Sequence, residues 1–128
     1  MELDFYENYS TDYRNDSMFC LKHFSKEELN KLSLATDNLI DRGLEINLSG
    51  LDYINNLSKR TLMLKTGGEN KGIIKIKENI YECVLQKPQY IEMKEMLLGY
   101  EIEETVTYHW LYNVVSEIDF LLSHSGHW

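Results

Sequence analysis

The stretch from Gly72 to Leu85 reads GIIKIKENIYECVL, and it decides the fold class that we predict for this chain of 128 residues. Isoleucines alternate with lysines in its first half, and Tyr81, Cys83 and Leu85 alternate with other residues in its second half. Period-two alternation is typical of a half-buried strand. Two such runs around the polar residues 77–79 predict an antiparallel hairpin.

The segment before this hairpin carries a strong helix signal. Ser25 is followed three residues later by Glu28, which is the spacing of a capping box. Leucines and an isoleucine then recur at helical spacing, and Gly43 is the residue type that commonly ends a helix. The sequence therefore predicts a helix over residues 26–42.

Weaker signals predict the remaining elements. Pro88 suits the first turn of a second helix that Gly99 would end. Alternation favours a strand across residues 105–112, with a helix over 108–116 left open as the alternative. In the final strand, Ile118, Phe120 and Leu122 are expected on one buried face. Other strands are predicted at 18–24, 44–48 and 61–65, with a short helical turn within 51–58.

These elements together predict an α+β fold in a single domain over residues 1–128. We expect a mainly antiparallel sheet of about four to six strands with two or three helices. Residues 1–17 are interpreted as a loosely packed arm or an edge strand, because acids and aromatic residues are mixed there.

Charge is distributed in three blocks along the chain. Residues 1–58 carry a net charge of −6, residues 59–77 carry +5 and residues 78–128 carry −7, which gives −8 overall. A strongly negative surface repels nucleic acid and anionic membranes and steers cationic proteins toward itself. We therefore expect a basic protein partner, and neither nucleic acid nor a membrane.

Acids interleaved with tyrosines favour a protein-binding surface in two parts of the chain. Tyrosine supplies a wide contact area at low entropic cost and is enriched at interfaces. Acids beside flat rings can also occupy a groove of the partner that is built for phosphates and bases. We predict that the partner is bound by Asp4, Glu7, Tyr9, Asp12, Tyr13, Glu101, Glu103, Glu104 and Tyr108.

No established catalytic motif is present in the sequence. His124 and His127 have a spacing that zinc sites use, but we interpret them as part of a solvent-exposed segment. Cys20 and Cys83 stand alone, and we expect both to be reduced and buried. The sequence predicts no catalytic residue, no cofactor and no metal, and it leaves the oligomeric state unknown.

The sequence from Ile118 to Trp128 reads IDFLLSHSGHW, an apolar run that ends in Ser-x-x-Gly-x-Trp. With its size, its acidity and a helix start of similar kind at residues 24–29, the chain resembles the immunity proteins of bacterial polymorphic toxin systems, including those of contact-dependent growth inhibition. The resemblance implies a cytoplasmic protein that binds one cognate toxin domain tightly and blocks it. Such toxins are often basic nucleases.

Our leading hypothesis is accordingly a non-enzymatic immunity protein that neutralises a basic toxin domain. One alternative is a small enzyme or ligand-binding domain with a site near Tyr108, His109, Trp110 and Glu101–Glu104. Another is an acidic phage-type inhibitor of a nuclease, which would share the same electrostatics.

Overall fold

The part of the chain that the structure describes forms two β-sheets and a pair of helices. The computed structural model describes residues 1–7, 16–102 and 108–128. In these ranges the helices are α1 (Lys26–Arg42) and α2 (Lys87–Gly99), and one turn of 3-10 helix covers Leu48–Gly50. The strands are β1 (Glu2–Tyr6), β2 (Ser17–Lys22), β3 (Ile46–Asn47), β4 (Asn55–Asn56), β5 (Thr61–Thr66), β6 (Gly72–Lys77), β7 (Ile80–Leu85), β8 (Tyr108–Trp110) and β9 (Ile118–Ser123).

Both sheets mix parallel and antiparallel strands. Sheet A has the strand order β4-β1-β2-β9-β8, in which β1 pairs with β4, and β2 with β9, in parallel. Sheet B has the order β3-β5-β7-β6, in which β5 and β7 are parallel. The α+β class is confirmed. The prediction of one mainly antiparallel sheet of about four to six strands is wrong, since the described residues form nine strands in two mixed sheets. The parallel pairs join strands that are not consecutive in the chain, which local turn signals do not indicate.

Helix α1 forms where its capping signals predict it. The side chain of Ser25 accepts a hydrogen bond from the Glu28 backbone N–H at 3.2 Å, and the Glu28 carboxylate accepts one from the Ser25 N–H at 2.9 Å. Gly43 ends the helix with φ of 65°, a conformation that costs glycine little. Its N–H donates to the Leu39 carbonyl at 3.0 Å.

The main core lies between sheet A, sheet B and the two helices. It takes Phe19 and Phe120 from sheet A, Leu62 from sheet B, Leu29 from α1 and Tyr90 from α2, all within one continuous cluster of buried side chains. The Tyr90 hydroxyl joins α2 to sheet B, since it lies 2.9 Å from both the Lys65 and Cys83 carbonyl oxygens.

Several local predictions are confirmed and others need correction. The hairpin of β6 and β7 and the final strand β9 form as predicted. The strand predicted over 44–48 is reduced to Ile46–Asn47, followed by the 3-10 turn. The helical turn predicted within 51–58 is wrong: Asn55–Asn56 is extended and pairs in parallel with β1.

Of residues 1–17, interpreted above as a loose arm or an edge strand, Glu2–Tyr6 form an inner strand, and residues 8–15 lie outside the described part of the chain. Strand β1 lies inside sheet A between β4 and β2, and Leu3 is fully buried. Leu3 and Phe5 supply apolar contacts with the main core, which the surrounding acids conceal in the sequence. The apolar side chains of β1 therefore face the main core, and its charged side chains lie on the other face of sheet A.

The segment after β9 packs against its neighbours. The His124 carbonyl accepts a hydrogen bond from the His23 N–H at 3.0 Å, and its own N–H donates to the Tyr100 hydroxyl at 2.9 Å. The ring of Trp128 packs 4.8 Å from that of Tyr6. The predicted solvent exposure of this segment is confirmed for His127 and Trp128, whereas His124 is half-buried.

Within the residues described, neither helix combines the length and the apolar character needed to cross a membrane.

Candidate functional site

Strand β8 places two aromatic side chains on the face of sheet A that points away from the main core, which we call the outer face. Trp110 is opposite Leu121, and His109 is opposite Leu122. Leu122 belongs to the main core, whereas Leu121 belongs to a small separate cluster. Since side chains alternate along a strand, Tyr108 and Trp110 point to the outer face and His109 points inward.

The two aromatic side chains are held together and remain accessible. Their ring centroids are 5.9 Å apart in an edge-to-face arrangement, the geometry that aromatic pairs prefer. Tyr108 is 42% exposed and Trp110 is 40% exposed. A strand fixes such side chains more firmly than a loop does, so a partner would pay little entropy to meet them.

A cleft of about 490 Å³ adjoins Trp110. Its polar lining comes from Asn113 and Asp119, and its lining residues are Met96, Trp110, Tyr112, Asn113, Val114 and Asp119. A carboxylate and an amide beside an indole ring suit a cationic side chain, because the carboxylate and the amide oxygen accept its hydrogen bonds and the ring attracts its charge.

Tyr112 lines this cleft, and hydrogen bonds to two strands hold its side chain in place. Its hydroxyl accepts a hydrogen bond from the Ile73 N–H at 3.1 Å and bonds the Ile118 carbonyl, so it joins β6 to β9. Burial raises the pKa of Tyr112 above its ordinary value, and the phenol therefore stays protonated. This side chain fixes the cleft in place.

Asp4, a predicted binding residue, is occupied by an internal ion pair. Lys22 Nζ lies 3.0 Å from an Asp4 carboxylate oxygen and 2.8 Å from the Tyr6 hydroxyl. Burial opposes ionisation of Asp4, but the hydrogen bonds from Lys22 and from the Phe5 N–H prevail and lower its pKa. Much of its charge is therefore neutralised before any partner arrives.

Glu7, another predicted binding residue, also forms an ion pair within the chain. Its carboxylate lies 3.2 Å from a guanidinium nitrogen of Arg60. The same guanidinium stacks over the Phe5 ring at 4.1 Å, and it donates to the Ser58 carbonyl at 2.9 Å. Arg60 thus ties Glu7 to β1.

The other predicted binding residues divide into two groups. Glu101 is exposed beside Tyr100, whose ring packs 5.4 Å from His109 of β8. Five further residues lie outside the described part of the chain: Tyr9, Asp12, Tyr13, Glu103 and Glu104. Of the described members of the predicted set, Tyr108 is therefore the residue that lies beside Trp110, whereas Glu101 lines a separate pocket with Lys26.

Of the residues proposed for an enzyme or ligand site, those that the structure describes in β8 lie on two faces of sheet A, and Glu103 and Glu104 lie outside the described part of the chain. His109 packs against the core residue Tyr100, while Tyr108 and Trp110 are on the opposite face of the sheet. In the described ranges, no group of three or more His, Cys, Asp or Glu side chains is arranged to hold a metal ion.

Both cysteines are free and buried, as the sequence predicts. Burial raises the pKa of the Cys20 thiol to about 12, and burial does the same for Cys83. Thiols with such a pKa are protonated and poor nucleophiles at neutral pH.

A second and larger groove, of about 580 Å³, runs beside β6. It carries Lys71 and Lys75 on the β6 side and Asp16 and Glu117 on the other. Its lining is therefore balanced in charge, unlike the cleft at Trp110.

The sequence contains only part of the signal for the Trp110 cleft. Alternation places Tyr108 and Trp110 on one face, and it places Asp119 opposite Phe120. The approach of Met96 and Asn113 to these residues depends on tertiary packing, which a pattern of spacing does not contain.

No protein-family model, no curated protein and no solved structure matches this chain.

Proposed function

We propose that this protein is a non-enzymatic immunity protein that acts in the cytoplasm and neutralises a cognate, basic toxin domain. The observation that carries the proposal is the pair Tyr108 and Trp110, partly exposed on the edge strand β8 beside a cleft that contains Asp119. The resemblance of residues 118–128 to immunity proteins supports the same function. The partner is a protein, with no role for nucleic acid or a membrane, and the interaction needs no cofactor.

Aromatic anchors of this kind supply most of the affinity at many interfaces. A few Trp, Tyr and Arg side chains typically cost about 2 kcal/mol or more each when truncated. An arginine or lysine of the toxin would enter the cleft, with its charge against Asp119 and its stem against the Trp110 ring. If the toxin is a nuclease, this contact would cover its basic nucleic-acid groove and so block its activity.

The net charge of −8 would act earlier, during encounter. Since Asp4 and Glu7 are paired internally, the exposed acids next to β8 and β9 are expected to contribute more. Glu101 and Glu117 are exposed and flank these strands in the chain. Complementary charge raises association rates more than it slows dissociation.

The genetic neighbourhood provides the first test. The proposal predicts that an adjacent reading frame encodes a large secreted protein with a toxic C-terminal domain. Expression of that domain alone in the cytoplasm should stop growth, and coexpression of this chain should restore it. Growth arrest that persists with well-expressed, folded protein would contradict the proposal.

A charge series tests the electrostatic part separately. Replacing Glu101 and Glu117 by Gln should slow association with the toxin domain in stopped-flow measurements and flatten its salt dependence, since salt screens such fields over about 10 Å at 0.1 M. The matched control replaces Lys75 and Lys77 of β6 by Gln, which should leave association equal or faster. Slower association in the control alone would indicate an acidic partner and would refute the proposed mode of encounter.

A further inference from the structure

Helices α1 and α2 lie side by side and leave a groove between them on the protein surface. Lys26 Nζ, at the start of α1, donates to the Leu98 carbonyl at the end of α2 at 2.6 Å, and Lys94 pairs with Asp37 further along. The helices are therefore antiparallel. The groove has a volume of about 360 Å³ and is lined by Asn30, Ser33, Leu34, Asp37, Lys94 and Leu98.

Apolar side chains are exposed along both helices at this groove. Leu34 of α1 is 65% exposed and Leu98 of α2 is 45% exposed, and both line the groove. Neither belongs to the core, since α1 uses other leucines, such as Leu29 and Leu32, for that purpose. A partner that covers both leucines would remove their exposed apolar surface from water, which favours association.

The charges of the groove indicate which partner fits. Its one acid and its one base, Asp37 and Lys94, already form an ion pair, so the lining has no net charge. A cationic partner gains no electrostatic advantage here. Two copies of a chain with net charge −8 repel each other over most of their surface, and a balanced, apolar face is where that repulsion is smallest.

We propose that the groove between α1 and α2 is a self-association surface, and that its occupant is the same groove of a second copy of this chain. In a twofold arrangement each patch faces itself. The leucines of the two copies would then meet, flanked by the Asp37–Lys94 ion pair of each copy. This inference goes beyond the proposed immunity function and uses a different surface.

The size of the surface sets the strength of the dimer. Helix α1 has 17 residues and is about 25 Å long at 1.5 Å per residue. With two helices about 8–10 Å apart, the face covers roughly 500 Å² per copy, below the roughly 800 Å² of a standard stable interface. We therefore expect a weak and reversible dimer.

Sedimentation equilibrium of the full chain from about 10 μM to about 1 mM, a range that spans weak affinities, tests the proposal. The mass of the wild type should rise with concentration from 15.1 kDa toward twice that value. Leu34→Glu and Leu98→Glu should each weaken dimerisation at least about tenfold, the effect of about 1.4 kcal/mol. Circular dichroism should confirm that both variants are folded.

Leu44→Glu is the matched control. Leu44 is 53% exposed but follows α1 and does not line the groove. It should dimerise like the wild type. A wild type that stays monomeric to about 1 mM, or a Leu44→Glu variant as impaired as Leu34→Glu, would overturn the proposal. No toxin is needed, so the outcome is independent of the immunity function.

Discussion

The two faces of sheet A use the same strands for different purposes. The inner face places Leu3, Phe19 and Phe120 in the main core that both sheets and both helices share. The outer face buries a small apolar cluster of Met18, Cys20 and Leu121 and leaves aromatic side chains partly exposed beyond it. If the outer face binds the partner as proposed, stability and binding should respond to different substitutions in this sheet.

The largest effect is expected on the inner face. Phe120 is 2% exposed and packs within the main core. Phe120→Ala should lower the free energy of unfolding by about 3–5 kcal/mol, because it removes apolar contacts and leaves a cavity. Urea denaturation measures this. A loss below about 1 kcal/mol, well under the usual range for core phenylalanines, would contradict the assignment of the inner face as the core.

The cysteines compare the small outer cluster with the main core. Cys20 lies in the former and Cys83 in the latter, and burial raises the pKa of each to about 12. A pKa about three units above the usual thiol value lowers the thiolate fraction about 1000-fold. Neither cysteine should react with a thiol reagent at pH 8 until urea is added. Rapid labelling of Cys20 alone would mean that the outer cluster opens.

A smaller effect is expected at the ion pair of the outer face. Hydrogen bonds from Lys22 and the Phe5 N–H outweigh burial and lower the pKa of Asp4 below its usual 3.8. A carboxylate with a lowered pKa stabilises the fold above its unfolded pKa, and that stabilisation is lost as the pH falls through the folded pKa. Asp4→Asn should therefore cost about 1 kcal/mol at pH 7.

The pH dependence separates this ion pair from simple packing. The stability gap between wild type and Asp4→Asn should shrink below about pH 4 as the wild-type carboxylate becomes protonated. Urea unfolding at pH 7 and at pH 3 provides the comparison. An equal gap at both pH values would show that the charge of Asp4 does not contribute.

The smallest effect on stability is expected at Trp110. Its ring is partly exposed and belongs to neither buried cluster. Trp110→Ala should change the free energy of unfolding by no more than about 0.5 kcal/mol, as is usual for surface positions. A thermal unfolding curve that shifts as far as that of Phe120→Ala would place Trp110 in a core.

Local signals in the sequence predicted the elements that depend on neighbouring residues. The capping box at Ser25, the glycine at the end of α1 and the alternation in β6 and β7 all act within a few residues. The parallel pairing of β2 with β9 joins segments about a hundred residues apart. No local pattern encodes it, which is why the mixed character of the sheets was not predicted.

The candidate site shows the same division. Period-two alternation suffices to place Tyr108 and Trp110 together on one face. The acids Asp4 and Glu7 stood out in the sequence by their charge, but their partners Lys22 and Arg60 come from other strands and loops. Net charge is readable from a sequence, whereas the pairing that neutralises it is a property of the fold.

The affinity of two tryptophan variants for the cognate toxin domain tests the central claim most directly. Trp110→Ala and Trp128→Ala remove rings of similar exposure, 40% and 46%. Trp110 lies on the edge strand β8, whereas Trp128 packs against Tyr6 of β1, which β2 and β9 separate from β8. Isothermal titration calorimetry should show that Trp110→Ala weakens binding by about 2 kcal/mol or more, roughly 30-fold, while Trp128→Ala changes it little. Wild-type affinity in Trp110→Ala, with a folded protein, would contradict the account.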